Sequence, residues 1–414
     1  LYSSAASDVY KRQRTTNPEQ NMNKVKAGDI QSTAVTVTWT PGIQADAIVC
    51  TPSAANSSAK TVTYTLTATD ISSGSATVTG LEPETSYRAT LKLGEKTRGY
   101  STFTTNLDLR DAIQLTPTDD WVTAIQDAAA GSKFALAAGE YTLTSAKLQI
   151  NNNVTIAAQN SGNLPVINTC IHINNGSSLY LYQVVMDGTG TDGSQAIEYK
   201  TAGGFGDLII SGSEIRNYVK GLIYINVAAV ANTIKIENSI IHDIECSGGD
   251  FIDSRSGGWN NLIISSSTFY SCSAKRDILR ADDASSKVSA SMITSIDKCT
   301  FYNVGNGNAN YRFFYLRFPG NTNTFTNNVV ANFDNTRGFA NSTSVGVPSY
   351  SNNYYYNCKN LTSQAEGNTQ PNLTCFDTEG NILDKNPFAD PDNADFTITD
   401  ELFQSYGFGD PRWY

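Results

Sequence analysis

The chain is poor in what many functional classes need. It carries only two histidines, and these with its seven cysteines show no zinc-like spacing. Charged residues make up 16% of the 414, and the net charge of −10 with a pI near 4.8 argues against a nucleic-acid partner. No apolar run approaches the length of a membrane span, so none is expected. There is no initiator methionine and no visible signal peptide. Leu1 to Gln13 resembles a translated sequencing adapter and is set aside, with residues 1–23 as a non-native or disordered leader. A signal or lipoprotein anchor is expected to be missing from this start.

What is plentiful is Asn, Ser, Thr, Tyr and Gly, the composition of a secreted, sheet-rich protein. A length of 414 residues allows two or three domains. From Tyr180 to Cys358 a repeat without an obvious consensus organises the chain. Its anchors are Gln183, Ser213, Ser239, Ser267, Cys299, Asn328 and Asn353. Three places before them stand Tyr180, Ile210, Ile236, Ile264, Ile296, Phe325 and Tyr350. Two places after stand Val185, Ile215, Ile241, Phe269, Phe301, Val330 and Tyr355. Four places after, Asn or Asp dominates: Asp187, Asn217, Asp243, Ser271, Asn303, Asn332 and Asn357. Five places after, Cys272 and Cys358 join an apolar column, which predicts packed free thiols.

A period of this size means a solenoid whose copies bury their apolar faces only against neighbours. Short alternating runs rich in Ile, Thr, Phe and Tyr suit strands, and the density of Gly and Asn excludes helical repeats. The Asn/Asp column marks a turn made once per coil, because Asn tolerates left-handed φ. The repeat predicts an all-β, right-handed parallel β-helix, with a β-sandwich of accidental periodicity as the alternative.

Before the solenoid, residues 24–105 form a separate unit. Val35, Val37 and Trp39 alternate with Thr36 and Thr38, and Gly80-Leu81-Glu82-Pro83-Glu84-Thr85-Ser86-Tyr87 follows. This resembles the fibronectin type III family, in which the Trp packs in the core and the GL-x-P-x-T-x-Y run carries the tyrosine corner. Such modules are usually spacers or docking modules. Residues 106–117 read as a short connection. Asp119 or Asp120 then caps a helix with Trp121, Ile125, Ala128 and Ala129 on one face, expected to cover the first coil. The W-x-x-A-I-x-x-A-x-x-G…A-x-G-x-Y run resembles the start of pectin-lyase-like β-helices. The β-helix is thus expected over residues 106–385, with 386–414 as its closing segment. Asn386-Pro-Phe-Ala-Asp-Pro, Ala394–Ile398 and Gly409-Asp410-Pro411-Arg412-Trp413 resemble surface proteins of polysaccharide-degrading Bacteroidota. Those join a fibronectin-like module to a β-helix of unassigned function, so the resemblance implies a secreted or outer-membrane surface setting and no catalytic motif. The chain is expected to be a monomer.

Chemistry is expected on the strands beyond the Asn turn: Gly221–Asn226, Asp250–Arg255, Asp277–Asp282, Arg312–Phe318 and Arg337–Asn341. Asp253-Ser254-Arg255, Arg280-Ala281-Asp282 and Tyr315-Leu316-Arg317 put charge outward on one face. Read in coil register, Arg255, Arg280 and Arg317 form a column edged by Asp253, Asp282 and Asp283, with Trp259 in the Gly257-Gly258-Trp259-Asn260 loop placed to stack on a sugar. A row of guanidiniums matches a row of uronate carboxylates, so the function expected is capture of an acidic polysaccharide. The alternative is a pectate- or alginate-type polysaccharide lyase; a structural adhesin is a third reading, and an ion-paired structural ladder is the plain one. The pectate-lyase resemblance implies a calcium ion on clustered carboxylates, for which Asp250, Asp253, Asp282 and Asp283 are the candidates, and a basic residue as proton acceptor, here Arg280 or Lys275. Paired carboxylates could instead hydrolyse. His242 is expected outward beside Asp243, and Tyr354 and Tyr356 read equally as packing or as a sugar platform.

Overall fold

A computed structural model describes residues 20–53, 58–340, 344–362 and 375–414. The leader up to residue 19 therefore lies outside the described residues. The chain divides into two compact units, Leu1–Asp111 with Asn160–Asn163, and Ala112–Gln159 with Leu164–Tyr414.

In the first unit, alternating strands make a small antiparallel sandwich. Ala34–Thr38 pairs with Ser75–Thr79, and Val62–Thr65, Ala47–Pro52, Ser86–Leu93 and Lys96–Thr104 form a four-stranded sheet in that order. Val35, Val37, Trp39, Ile48, Val78, Tyr87 and Leu91 fill the space between. The buried Tyr87 hydroxyl accepts a hydrogen bond from the Glu82 amide at 3.0 Å, which pins the corner before its strand.

The second unit is a right-handed parallel β-helix with three stacks of strands. The first sheet runs from Ile113–Leu115 through Ser132–Leu136, Leu208–Ser211 and Gly258–Ser265 to Ser349–Ser351. The second contains Val185–Asp187, Glu214–Arg216, Ile240–Ile244, Thr268–Cys272, Thr300–Val304, Val329–Ala331 and Tyr354–Tyr356. The third contains Ile197–Tyr199, Ile223–Ile225, Ile252–Ser254, Leu279–Ala281 and Phe314–Leu316. Glu140–Ile150 and Val166–Ile173 run through both the second and third sheets, so these are continuous at the first coils. Ile113–Leu115, expected as connection, is a strand because the edge of Ser132–Leu136 otherwise leaves its backbone groups unpaired. Asp120 caps the helix Trp121–Gln126, whose Trp121 packs edge-on against Tyr141 at 5.7 Å.

The repeat register holds for six copies. Ile210, Ile236, Ile264, Ile296, Phe325 and Tyr350 are ladder partners in sequence, as are Ile215, Ile241, Phe269, Phe301, Val330 and Tyr355. The first copy is one residue out. Leu181, not Tyr180, partners Ile210, and Met186, not Val185, partners Ile215. Gln183 occupies a positive-φ corner (54°), which elsewhere falls to Gly212, Asn238, Ser266, Lys298, Asn327 and Asn352. The Asn/Asp column is a second such corner, with φ of 52–62° at Asn217, Asp243, Ser271, Asn303, Asn332 and Asn357. Between the two corners the anchors form an internal relay: the Ser213 amide donates to Ser239 Oγ at 3.1 Å and the Asn328 amide to Asn353 Oδ1 at 3.0 Å. All seven cysteines are buried, and none of them forms a disulfide. Burial raises the Cys272 thiol well above its ordinary value and pushes Cys358 up to about 12.

The segment expected to close the β-helix instead lies along its side. A hairpin of Phe388–Asp390 and Asp395–Ile398, the helix Glu401–Tyr406 and the turn Pro411–Trp413 pack on the outward face of the second sheet, over Tyr302, Val329, Ala331 and Tyr354. Asp410 anchors it: its buried carboxylate, paired with Arg412, accepts from Thr268 Oγ1 at 2.8 Å.

Candidate functional site

The strands of the third sheet are three residues long. Alternation buries their first and last side chains and turns the middle one outward. Each coil therefore offers one outward residue mid-strand and a second two residues later, at the strand end. A turn tight enough to need glycine sets the level: a Cβ on Gly221 would sit 2.0 Å from the Asp250 carbonyl oxygen.

The ladder corrects the arginine column. Asp253 partners Arg280, and Arg280 partners Tyr315. Two residues on, the sequence across the same coils is Arg255, Asp282, Arg317. The two columns alternate in sign because hydrogen-bond register, not charge, fixes which residues stack. Asp253-Ser-Arg255 and Arg280-Ala-Asp282 sit at equal levels with their charges reversed. The expected strand at Arg337–Asn341 does not form through Ala340, and Asn341 lies outside the described residues.

Every carboxylate in the patch is matched. Arg255 grips Asp253 through Nε at 2.5 Å and a second nitrogen at 2.9 Å, and reaches Asp250 at 3.1 Å. Arg280 grips both oxygens of Asp282, at 2.9 and 3.1 Å, and reaches Asp250 at 3.4 Å. Arg317 donates to Asp282 at 2.7 Å. Beneath them, Asp250 and Asp277 each accept the backbone N–H of the next coil, at 3.1 and 2.9 Å, and Asp277 pairs with Arg312. Burial raises the Asp250 carboxyl, with Asp253 adding to it, and lifts Asp277 to about 6 despite Arg312. Burial pushes Asp282 up too, but hydrogen bonds from Arg280 and Arg317 outweigh it and hold the group below the usual carboxylate range. The Tyr315 ring lies under three guanidiniums, with Arg312 nearest at 3.8 Å to its centroid. Asp250 and Asp253 are 1% exposed, whereas the side chains of Arg255, Arg280 and Arg317 are 29, 19 and 37% exposed.

Several sequence-derived assignments change. Trp259 is no sugar platform: it is fully buried in the first sheet, in ladder register with Ala231, whose small side chain leaves it room. The four aspartates do not form a calcium cage. Asp250, Asp253 and Asp282 hold arginines, Asp283 turns to Ser285 in its own loop, and among the described residues no group of three or more His, Cys, Asp or Glu could hold a metal. Lys275 stands exposed in the turn Ala274–Arg276, its Cγ beside Gly307. Tyr354 is packing, covered by Phe408 at 4.4 Å and Tyr406 at 5.2 Å. His242 does face outward, held by Asp243 at 2.7 Å and Glu214 at 3.1 Å and stacked on Tyr270 at 4.5 Å. The residues that sequence reasoning missed are Tyr224, Glu198, His172 and Gln149, which continue the outward column from Asp253 toward the first coils. Their signal was the middle position of each short strand, read coil by coil.

Residues 139–272 match a domain of unknown function (DUF4957), and residues 294–413 match a second domain of unknown function (DUF5123). The Arg280–Asp282 coil falls between the two matches. No curated protein matches the chain. Among solved structures it is similar to the catalytic domain of a GH87 alpha-1,3-glucanase in complex with nigerose, at 13% identity over 79% of this chain and 68% of that one, with TM-scores of 0.37 and 0.32 for two such structures. At that level of likeness neither the substrate nor the chemistry of those enzymes carries over to this chain.

Proposed function

We propose that the second unit is a glycan-binding β-helix that holds a polysaccharide chain along the third-sheet face without cutting it. The observation that carries this reading is the charge balance of the patch. Three aspartates, Asp250, Asp253 and Asp282, meet three arginines, Arg255, Arg280 and Arg317, so three and three cancel. What remains outward is a set of partly exposed, pre-oriented guanidinium faces, with the Tyr315 ring beneath them. Such groups suit hydroxyl-bearing sugar rings, and they repeat at the coil spacing of ~4.8 Å, comparable with the length of one sugar unit.

The uronate-rich ligand expected from a row of like charges fits this patch less well than a neutral or sparsely charged chain. Arg317 is the exception, because its side chain is the most exposed of the three. Cleavage finds little support, because a general acid or base must reach its substrate. Asp250, Asp253 and Asp277 are buried, Arg280 is committed to Asp282, and Lys275 is on a separate turn. A surface or secreted setting, a monomeric state and a spacer role for the first unit in the manner of fibronectin type III modules belong to the same proposal. The buried Trp39 and the Tyr87–Glu82 corner support the last of these.

Affinity electrophoresis against xylan, galactomannan, pectin and alginate tests the reading. The expected result is retardation by a neutral glycan that added salt hardly relieves. Retardation by no polysaccharide would overturn it, as would unsaturated uronate or new reducing ends released by the purified protein.

A further inference from the structure

The outward column of the third sheet does not stop at the charged patch. Ladder pairs connect Gln149, His172, Glu198, Tyr224, Asp253, Arg280 and Tyr315 without a break. Six coil steps at ~4.8 Å make the column about 29 Å long. No member is aliphatic. The first sheet differs: its outward column reads Thr155, Tyr180, Ile209, Lys235, Ile263, Ser295 and Thr324. That of the second sheet runs into the C-terminal segment at Tyr270 and Tyr302.

At the far end from Arg317 the column holds a second set of polar side chains built like the first. His172 Nε2 faces Glu198 at 3.5 Å, its Nδ1 faces Gln149 Nε2 at 3.3 Å, and Lys200 donates to the other Glu198 oxygen at 3.0 Å. Asn174, two residues beyond His172, donates to both Gln149 and Asn151 at 3.1 Å. The His172 and Glu198 side chains are 18 and 17% exposed, close to Arg280 at 19%. The charges are again matched in place, and the half-buried Tyr224 lies midway between the two sets.

We infer that the column is one continuous binding surface, with Gln149, His172, Glu198 and Lys200 as a second polar subsite, and that its ligand is the interior of an extended linear glycan rather than a chain end. This rests on the glycan-binding reading above. A chain end calls for a closed pocket, whereas a ladder of polar side chains continued through six coil steps accepts a chain that runs along it.

Isothermal titration with size-graded xylo- and manno-oligosaccharides tests the inference. Affinity is expected to climb with length until the column is spanned. His172→Ala and Arg317→Ala, at opposite ends, are each expected to weaken long oligosaccharides by about five- to tenfold, the worth of one hydrogen bond, and to flatten the length dependence. Glu198→Gln, which keeps shape and hydrogen bonding, guards against a folding defect in His172→Ala and is expected to lose less. Long and short oligosaccharides binding alike would overturn the inference. So would His172→Ala and Glu198→Gln both binding long ones as the parent does, while Arg317→Ala loses affinity. Those outcomes leave glycan binding standing; no binding by the parent removes both.

Discussion

The outward faces of the second and third sheets begin alike and end differently. Each opens with ion-paired polar side chains. On the second these are Asp187, Arg216, Glu214 and His242, with Asp187 pulled down to about 2, against its burial, by hydrogen bonds from Thr189 and Arg216. From the fourth coil they part. The second sheet turns aromatic with Tyr270, Tyr302 and Tyr356, and the C-terminal segment covers it through Phe388, Phe396, Phe408 and Trp413. The third sheet stays polar to its last strand, and its outward side chains stay partly exposed, except Asp253, which is buried against Arg255. An outward aromatic run on a solenoid therefore marks a face that the chain itself will cover. An outward run of compensated charges marks one left to water or a ligand.

The strongest test of this contrast is at the base of the polar face. Asp277 and Arg312 are 3 and 6% exposed as side chains, and Asp277 also accepts the Arg312 amide. Asp277→Ala takes the carboxylate from beside a buried guanidinium and is expected to cost about 3–5 kcal/mol in denaturant unfolding. Because burial lifts the Asp277 carboxyl from its ordinary value to about 6, folding favours its protonated form, and that increment of stability is fully present below about pH 4 and is lost as the pH rises through about 6. The parent's stability should carry that slope and the variant's should not.

Next comes the covered face. Phe396 is fully buried against Tyr270, Tyr302, Phe388 and Trp413. Phe396→Ala is expected to cost about 3 kcal/mol, the lower end for such truncations, because an outer layer can settle into the space. Its decisive readout is glycan binding, which should match the parent's. If binding to the third face falls together with stability, the two faces are not independent.

A smaller effect is expected at His242, where the second face is still open. Burial lowers its pKa, but hydrogen bonds from the imidazole to Glu214 and Asp243 outweigh that and raise it above the ordinary 6.5. Arg216 and Tyr270 flank it on the neighbouring coils. The sign is that of a raised histidine: the stabilisation is present below about 6.5 and is lost as the pH rises through the folded value. His242→Gln should thus be about 1 kcal/mol less stable than the parent near about pH 5.5 and indistinguishable from it near about pH 8.5. An unchanged difference at both values would show that packing on Tyr270, not charge, holds the ring.

Much of this architecture was legible because a solenoid repeats its burial pattern once per coil. Ile236, Ile264 and Ile296 could be put in register from spacing alone. The first copy slipped by one because Gln183 took a corner that Asn, Ser, Gly or, once, Lys fills elsewhere, and nothing in a glutamine announces positive φ. The site was harder to read. Sequence shows that Arg255 and Arg280 lie on outward strands, but a shift of two residues preserves every inward and outward assignment while inverting the charge pattern. Only backbone pairing of Asp253 with Arg280 settles it. Trp259 misled for a related reason: two glycines before it suggest a loop, yet they let the backbone pass close to the previous coil, with a Cβ on Gly257 only 2.1 Å from the Ala229 carbonyl oxygen. The C-terminal cover was legible as a segment and not as a position, since a hairpin and a six-residue helix carry no mark of the surface they pack on.

The smallest stability effect, and the sharpest separation of the two faces, is expected at Arg317. It is the last outward cation of the polar face and donates to Asp282, while Asp282 keeps both of its bonds from Arg280. Arg317→Ala therefore leaves no carboxylate uncompensated, and the pair it removes is of the exposed kind that contributes about 0–1 kcal/mol. The melting temperature should hardly move. Arg280→Ala is the contrasting change in the same patch, because it strips the bidentate partner from Asp282 and one of two cations from the buried Asp250. It should lose stability and binding together. If the polar face exists to hold the coils together, Arg317→Ala will be silent in both measurements and the loss at Arg280→Ala will be one of stability, with binding falling only as the fold does. If it exists to hold a ligand, Arg317→Ala will weaken glycan binding by about five- to tenfold on an unchanged fold.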